Sequence, residues 1–458
     1  MFTLPLGIEI NKDSILKAVR YNEEERVSKL TKLENYYLGF HDIQDRKTRS
    51  NRANNKIAVN HAKYITDVNI GYLLGNPVEY QAKKDVYKID PIIEAYDKQV
   101  ISRLDTEIAK DVSIFGYQYE MVYADEESNI ASARLDNRNC ILVYDDTMEH
   151  NKMFAVLYEI KDTYKKEQEP EFARLEVITD TSRIEYTNAT GKIVRGKEYA
   201  HYFEEIPIVE YINNPELIGD FQVVIPLIDA YNILISDRVN DKEDLVNAVM
   251  AIKNMKLSKE LLENLKAHRV IADIPPDGDI KYVTKQLNET ELSVLRKDII
   301  DDIHKISMTP DMSDENFVGN SSGVAIKYKL LPFEQSVQNK ERYFEDGLMD
   351  RFSIYNTFLK KKGKMNQIVP LYEVQAIFKR NLPQNDVEIA QIITQLDGRL
   401  PEEFALSLLS FVDNAQELLD KLKEEQLKQT TIGSSGFGSF KPNDQNNGDN
   451  PEKDLNNN

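Results

Sequence analysis

Cysteine occurs once in this 458-residue chain, at Cys140, which excludes an intramolecular disulfide and any metal site built from several cysteines. A reducing, intracellular setting is the expectation. The six histidines are scattered, neither HExxH nor Gly-x-Ser-x-Gly occurs, and Cys140 has no obvious histidine or acidic partner in sequence to activate it. Nothing nominates a nucleophile. No apolar run approaches the ~20 residues of a membrane-spanning helix, and the start, MFTLPLGIEINKDS, lacks the basic flank and apolar core of a signal peptide. A soluble, unprocessed protein without membrane contact is expected. Basic residues are outnumbered, 58 Lys and Arg against 77 Asp and Glu, for a formal charge of -19. That balance argues against a tight, sequence-independent grip on nucleic acid and leaves loose contact with DNA open.

Hydrophobic residues make up 41% of the chain and charged residues 29%, enough to bury cores in roughly two to four domains. Residues 12–39 are charged with apolar residues at helical spacing, and Gly39 is placed to end the helix. In residues 55–80, Ile65, Val68, Tyr72 and Leu73 form a second stripe stopped by Gly75, Asn76 and Pro77. Residues 90–115 continue helically through Ile93, Tyr96, Val100, Leu104, Ile108 and Val112. From about Gln118 to Tyr211 the period changes: YEMVYA, ARLD, CILVYDD, MFAVLYEI, RLEVIT and RIEY predict short strands in a largely antiparallel sheet region.

Helical spacing returns after Pro226, with Leu227, Tyr231, Leu234, Ile235 and Val239 inward-facing over residues 226–250. This predicts a rod. Residues 251–288 form a small mixed unit containing the strand-like IKYVTKQ. A second rod, 289–306, places Leu292, Leu295, Ile299, Ile303 and Ile306 on one side. The polar, glycine-punctuated stretch SDENFVGNSSGVAIK then leads into a long helix, 323–360, with Val324, Tyr328, Leu331, Phe344, Leu348, Phe352, Tyr355 and Leu359 as its apolar positions and Pro332 as a kink. After the strand-like YEVQAIF come short helices, and from Gly433 the tail is too poor in apolar residues to fold. The fold class is therefore α+β, mainly helical.

Three chemical readings compete with structural ones. GKIVRGKE, residues 191–198, has phosphate-loop spacing but puts Glu198 where Ser or Thr would hold magnesium and lies between strand patterns, so it reads as a hairpin. A calcium loop opening at Asp311 would have Asn316 at the glycine position and Ser322 at the bidentate glutamate position. Asp298, Asp301, Asp302 and His304 are close enough along a helix for a magnesium-dependent nuclease, although a solvated helix face explains the same spacing. An acidic adaptor that binds a basic partner without forming a ring stays open as well.

Three stretches, NKIAVNHAKYITDVNIGYLLGNPVEY (55–80), IDAYNILISDRVNDKEDLVNA (228–248) and TPDMSDENFVGNSSGVAIKYKLL (309–331), occur in the order of this architecture and resemble the portal proteins of long-tailed bacteriophages. The resemblance spans about residues 10–430. It implies a non-enzymatic dodecameric ring at one capsid vertex of the virion, assembled in the host cytoplasm without a cofactor or metal. Double-stranded DNA would pass through its tunnel in packaging and ejection. The implied partners are a terminase large subunit that supplies ATP energy, a head-completion adaptor, and the major capsid and scaffolding proteins.

The resemblance also implies a domain map. Residues 1–225 would be wing, 226–250 and 289–306 stem, 251–288 clip, 307–322 tunnel loop, 323–375 the kinked wing helix with its strand, 376–432 crown, and 433–458 a disordered tail. The stem would present Leu227, Tyr231, Leu234, Ile235, Leu292, Leu295, Ile299 and Ile303. Ser313, Asp314, Glu315, Asn316, Asn320, Ser321 and Ser322 would face the DNA on a segment freed by Gly319 and Gly323, with Phe317 and Val318 packing on neighbouring loops or touching DNA. No Lys or Arg lies in that loop. A lining without cations avoids the counterion exchange that phosphate contacts would impose on each step of a sliding duplex.

Overall fold

A computed structural model describes residues 1–47, 53–189, 192–246, 249–254, 276–283, 289–313, 323–380, 386–396, 399–409, 412, 415–416 and 418–423. The chain divides into two compact units, Met1–Asn381 and Leu382–Asn458. In the first unit, strand β1 (Phe2–Leu4) precedes helix α1 (Lys12–Tyr21), a π-helical turn (Asn22–Val27) and α2 (Ser28–Leu38). Next come α3 (His61–Leu73), β2 (Glu79–Ala82), α4 (Asp90–Gln99) and α5 (Ile101–Phe115). Strands β3 (Tyr117–Ala124), β4 (Ile130–Arg134), β5 (Cys140–Asp145), β6 (Lys152–Ile160), β7 (Phe172–Ile178), β8 (Ser182–Ala189), β9 (Lys192–Ala200) and β10 (Ile208–Ile212) follow. Then come α6 (Ile225–Val246), β11 (Val249–Lys253), β12 (Asp279–Val283), α7 (Glu289–Ile306), α8 (Gly323–Lys361) and β13 (Val374–Ile377). The second unit contains α9 (Asp386–Gln395) and α10 (Glu402–Ser407).

The strand-rich region forms a six-stranded sheet ordered β1-β5-β6-β7-β8-β9 and a three-stranded sheet ordered β10-β3-β4. Pairing is antiparallel except between β1 and β5. Every residue of β5 is buried, which explains the unbroken apolar run CILVY: a central strand covered on both faces has no polar side to alternate with. Ile141, Val143, Phe154, Val156 and Val177 face α1, which contributes Ile15, Leu16 and Val19. The alternate residues Cys140, Leu142, Tyr144, Ala155 and Leu157 join Tyr117, Tyr119 and Ile208 on the other face. A third core gathers Leu33, Tyr36, Ile65, Ile114, Phe221, Ile228 and Ile303 from α2, α3, α5, the turn before α6, α6 and α7. Residues 192–198 of the GKIVRGKE stretch lie within β9, paired antiparallel with β8, as a hairpin requires.

Helix α8 runs 39 residues, about 58 Å, with Pro332 inside it. Phe344, Leu348, Phe352, Tyr355 and Leu359 are buried, but Tyr328 and Leu331, expected on the same stripe, are 74% and 48% exposed. The first turns of α8 therefore lack cover for part of their apolar surface. Further along, a Cβ at Gly347 would come within 2.4 Å of the Tyr211 ring, so glycine is what lets α8 lie against β10. Gly347→Val should cost roughly 1–3 kcal/mol through overpacking, read as a lower urea midpoint at unchanged slope.

Several expectations need correcting. Residues 12–39 are not one regular helix: the π-helical turn at 22–27 turns Asn22 and Arg26 inward, where Asn22 donates to the Arg138 carbonyl and the Tyr158 hydroxyl and Arg26 stacks 4.6 Å from the Tyr117 ring centre. Residues 90–115 break at Val100, which is left-handed (φ 54°) and 55% exposed rather than part of the apolar stripe. The break lets Gln99 reach the edge of β4, donating to the Ile130 carbonyl and accepting from the Ser132 N–H. The first rod ends at Val246, and Val249–Lys253 forms a strand against Asp279–Val283. Strand β1 was not anticipated.

Candidate functional site

Helix α8 is tied into the first unit by buried ions. Arg351, fully buried, donates to both oxygens of Glu120 at 2.9 Å and to Asp105 at 2.6 Å, and Tyr211 donates to Glu120 at 2.6 Å. Burial works against the guanidinium charge, but the two acids outweigh it and hold Arg351 well above its ordinary range. Two carboxyl groups share that one cation, and burial, reinforced by Glu120, pushes the Asp105 carboxyl up. About three turns nearer the start of the same helix, Lys340 bonds Asp220 and Asn69, and Arg380 bridges Glu334 and Glu341. Sequence reading missed all of these ions because their partners are distant in the chain.

The first rod, α6, spans 22 residues, about 33 Å. Tyr231 is buried, whereas Leu227, Leu234, Ile235 and Val239 are half-buried. The more deeply buried face lies one position along and is largely polar: Ile228, Asn232, Ser236 and Asn240. Those three polar side chains hold an extended segment, with Val59 N–H donating to Asn232 Oδ1 at 2.8 Å, Ile57 N–H to Ser236 Oγ at 3.0 Å and Asn55 N–H to Asn240 Oδ1 at 2.7 Å. The match is geometric: four residues of helix rise about 6 Å, and two residues of extended chain about 6.6 Å. Asn232 also donates to His41 Nδ1, while His41 Nε2–H donates to the Tyr36 carbonyl, so His41 is neutral and burial lowers its pKa.

The second rod, α7, packs against α6 and closes with Arg238–Glu289 at 2.7 Å. Ile303 is buried in the third core with Ile299 against it, and Leu292 is half-buried. Leu295, expected inward, is 46% exposed, as are Val294 (55%) and Ile306 (50%), and Ile233 on α6 is 47% exposed. Asp298, Asp301 and Asp302 are exposed, and His304 turns away from them: its Nδ1–H donates to the Thr309 carbonyl and its ring meets Tyr64 edge-on. Among the described residues no group of three or more His, Cys, Asp or Glu is placed to hold a metal ion.

Beyond α7 the chain is anchored before it leaves the described residues. Tyr64 accepts from the Met312 N–H and donates to the Pro310 carbonyl, and Asn69 donates to Thr309 Oγ1. Ser313 is exposed and bonds Asp311, and Gly323 opens α8. Asp314, Glu315, Asn316, Phe317, Val318, Gly319, Asn320, Ser321 and Ser322 lie outside the described residues, as do most of 251–288 and all of 433–458.

His61 sits beside this anchor, its ring 6.3 Å from that of His304, with Nε2 buried and unpartnered. Burial, then the neighbouring His304, lower its pKa to about 4. Because the unfolded imidazole takes its proton near pH 6.5 and the folded one resists until about 4, His61 should contribute stability above pH 6.5 that is lost on acidification between those values. Thermal melts from pH 7 to 4.5 should fall steeply, and His61→Phe should flatten that fall; an unchanged slope would contradict the assignment.

Together the buried-ion girder, the paired rods and the anchored residues 309–312 define an α+β protein whose rods leave several apolar side chains uncovered. A family model described as phage portal protein, SPP1 Gp6-like, matches residues 16–431, and the chain belongs to that family. It is 27% identical over 440 residues to the portal protein of Bacillus phage SPP1, covering 91% of this chain and 84% of that one. It is 21% identical over 453 residues to the portal protein of Clostridium phage phiCD119, covering 93% and 98%. A chain in the virion of a native gene transfer agent particle aligns with a TM-score of 0.42 at 11% identity, over 84% of this chain and 94% of that one.

Proposed function

We propose that this chain forms a dodecameric, non-enzymatic ring at one capsid vertex of the virion, assembled in the host cytoplasm. The ring is the channel for packaging and ejecting double-stranded DNA. It is also the platform on which a terminase ATPase and a head-completion adaptor dock, within a shell of capsid and scaffolding proteins. Residues 1–225 and 323–375 serve as wing, 226–250 and 289–306 as stem, 251–288 as clip and 376–432 as crown. The observation that carries this reading is the set of uncovered apolar side chains on the rods, Ile233, Val294, Leu295 and Ile306, which would be surface for sister copies in a member of the portal family. Closed rings let each copy cover its neighbour without leaving an open end.

Residues 307–322 act as the tunnel loop, held near its start by Tyr64, Asn69 and His304 and carrying no cation. Asp314→Lys with Glu315→Lys should leave rings assembled but stall packaging, because each new lysine adds a phosphate contact to break at every step. The measurement is DNA per particle in a packaging assay. Normal filling and normal ejection would reject the loop assignment.

A further inference from the structure

Lys340, on α8, is 8% exposed and reaches across to α3. Its ammonium donates to Asn69 Oδ1 at 3.1 Å and to Asp220, which also accepts from Ser113 and Asn213. Asn69 passes the contact on, its Nδ2 donating to Thr309 Oγ1 at 3.1 Å and to the Ile65 carbonyl at 2.9 Å. A lysine ammonium can only donate and a backbone carbonyl can only accept, so the amide is fixed in one orientation from both ends. Asn69 and Thr309 are both buried, out of reach of competing water.

Thr309 lies near the start of residues 307–322. Met308 before it is left-handed (φ 53°), and after it Tyr64 donates to the Pro310 carbonyl and accepts from the Met312 N–H. His304 Nδ1–H donates to the carbonyl of Thr309 itself. Of these ties on residues 309–312, the one through Asn69 continues directly to α8. That same helix begins at Gly323, where the loop ends, and Lys340 stands 17 residues further along, roughly 25 Å of helix. One helix therefore holds the far end of the loop by covalent continuity and the near end through Lys340 and Asn69.

A shift of α8 carries both ends while the relay is intact; without it, the near end answers only to α3 and α7. We propose that Lys340 and Asn69 are positioning residues that couple residues 309–312 to α8, so that both ends of the loop follow that helix. The consequence of this coupling for DNA rests on the tunnel-loop reading above, whereas the coupling itself does not.

The test is a double-mutant cycle in the full-length protein. Ser313→Cys carries a nitroxide label, and native Cys140, fully buried, stays unlabelled. Thr309→Val removes the acceptor at one end of the relay, and Lys340→Met with Asp220→Asn removes the donor at the other without stranding an acid. Each should raise the ratio of mobile to immobile label roughly 2–10-fold, the size of one lost hydrogen bond. All three substitutions together should raise it no further. Asn69→Ala, which cuts the relay in the middle, should match them, and circular dichroism of every sample checks folding. Fold-changes that multiply in the combined protein overturn the coupling. So does a label left immobile by the Lys340 or Asn69 variant, or a Lys340 variant that does not fold. DNA per particle is measured on the same variants: reduced filling supports both readings, and a mobile label with normal filling leaves the coupling standing and overturns the tunnel-loop reading.

Discussion

Arg351→Ala should cost about 3–5 kcal/mol, because it leaves Asp105 and Glu120 buried without their cation. The loss comes less from a missing attraction than from two carboxyl groups stranded where water cannot reach them. Exchanging the whole set, Arg351→Met with Glu120→Gln and Asp105→Asn, removes the stranded charge and should recover much of the stability. Urea unfolding of the three proteins decides this. A loss below about 1 kcal/mol in the single variant would mean that the girder is not organised around this ion cluster.

Val294→Asp with Leu295→Asp should abolish assembly while leaving the subunit folded. Both side chains are about half exposed in the lone chain, so the change costs the monomer little. In a ring each junction would bury two new carboxylates if the rods meet there, at roughly 2–3 kcal/mol or more each. About 2.7 kcal/mol is a hundredfold in an association constant, so even one weakened junction type depletes a closed ring. Particle mass and circular dichroism measured together distinguish lost assembly from lost folding. Rings of unchanged abundance would remove the rods from the interface.

Much of the architecture was legible because it rests on periodicity. The alternating runs between Gln118 and Tyr211 became two sheets, the rods fell close to their expected spans, and YEVQAIF became a strand, paired with β2. What escaped depends on contacts between distant residues. Asn232, Ser236 and Asn240 lie off the apolar stripe, yet they are buried because residues 55–59 lie across them. Arg351, which no periodicity marks as core, is fully buried because its acids arrive from 231 and 246 residues away. Val100 fits the apolar stripe of residues 90–115 and instead breaks it, since Gln99 is drawn to the edge of β4. Leu295 fits the stripe of the second rod yet is 46% exposed, because periodicity does not tell which positions of a stripe the rest of the chain covers.

The central claim is that the uncovered apolar surface along these rods is covered by further copies of the same chain around a channel. Mass photometry with negative-stain imaging of the purified wild-type protein tests it most directly, across protein concentration and salt. The account predicts closed particles with a central hole and the mass of many subunits, persisting or growing in abundance as salt screens the -19 charge on each chain. A single species at the mass of one chain, 52.9 kDa, under every condition would contradict it.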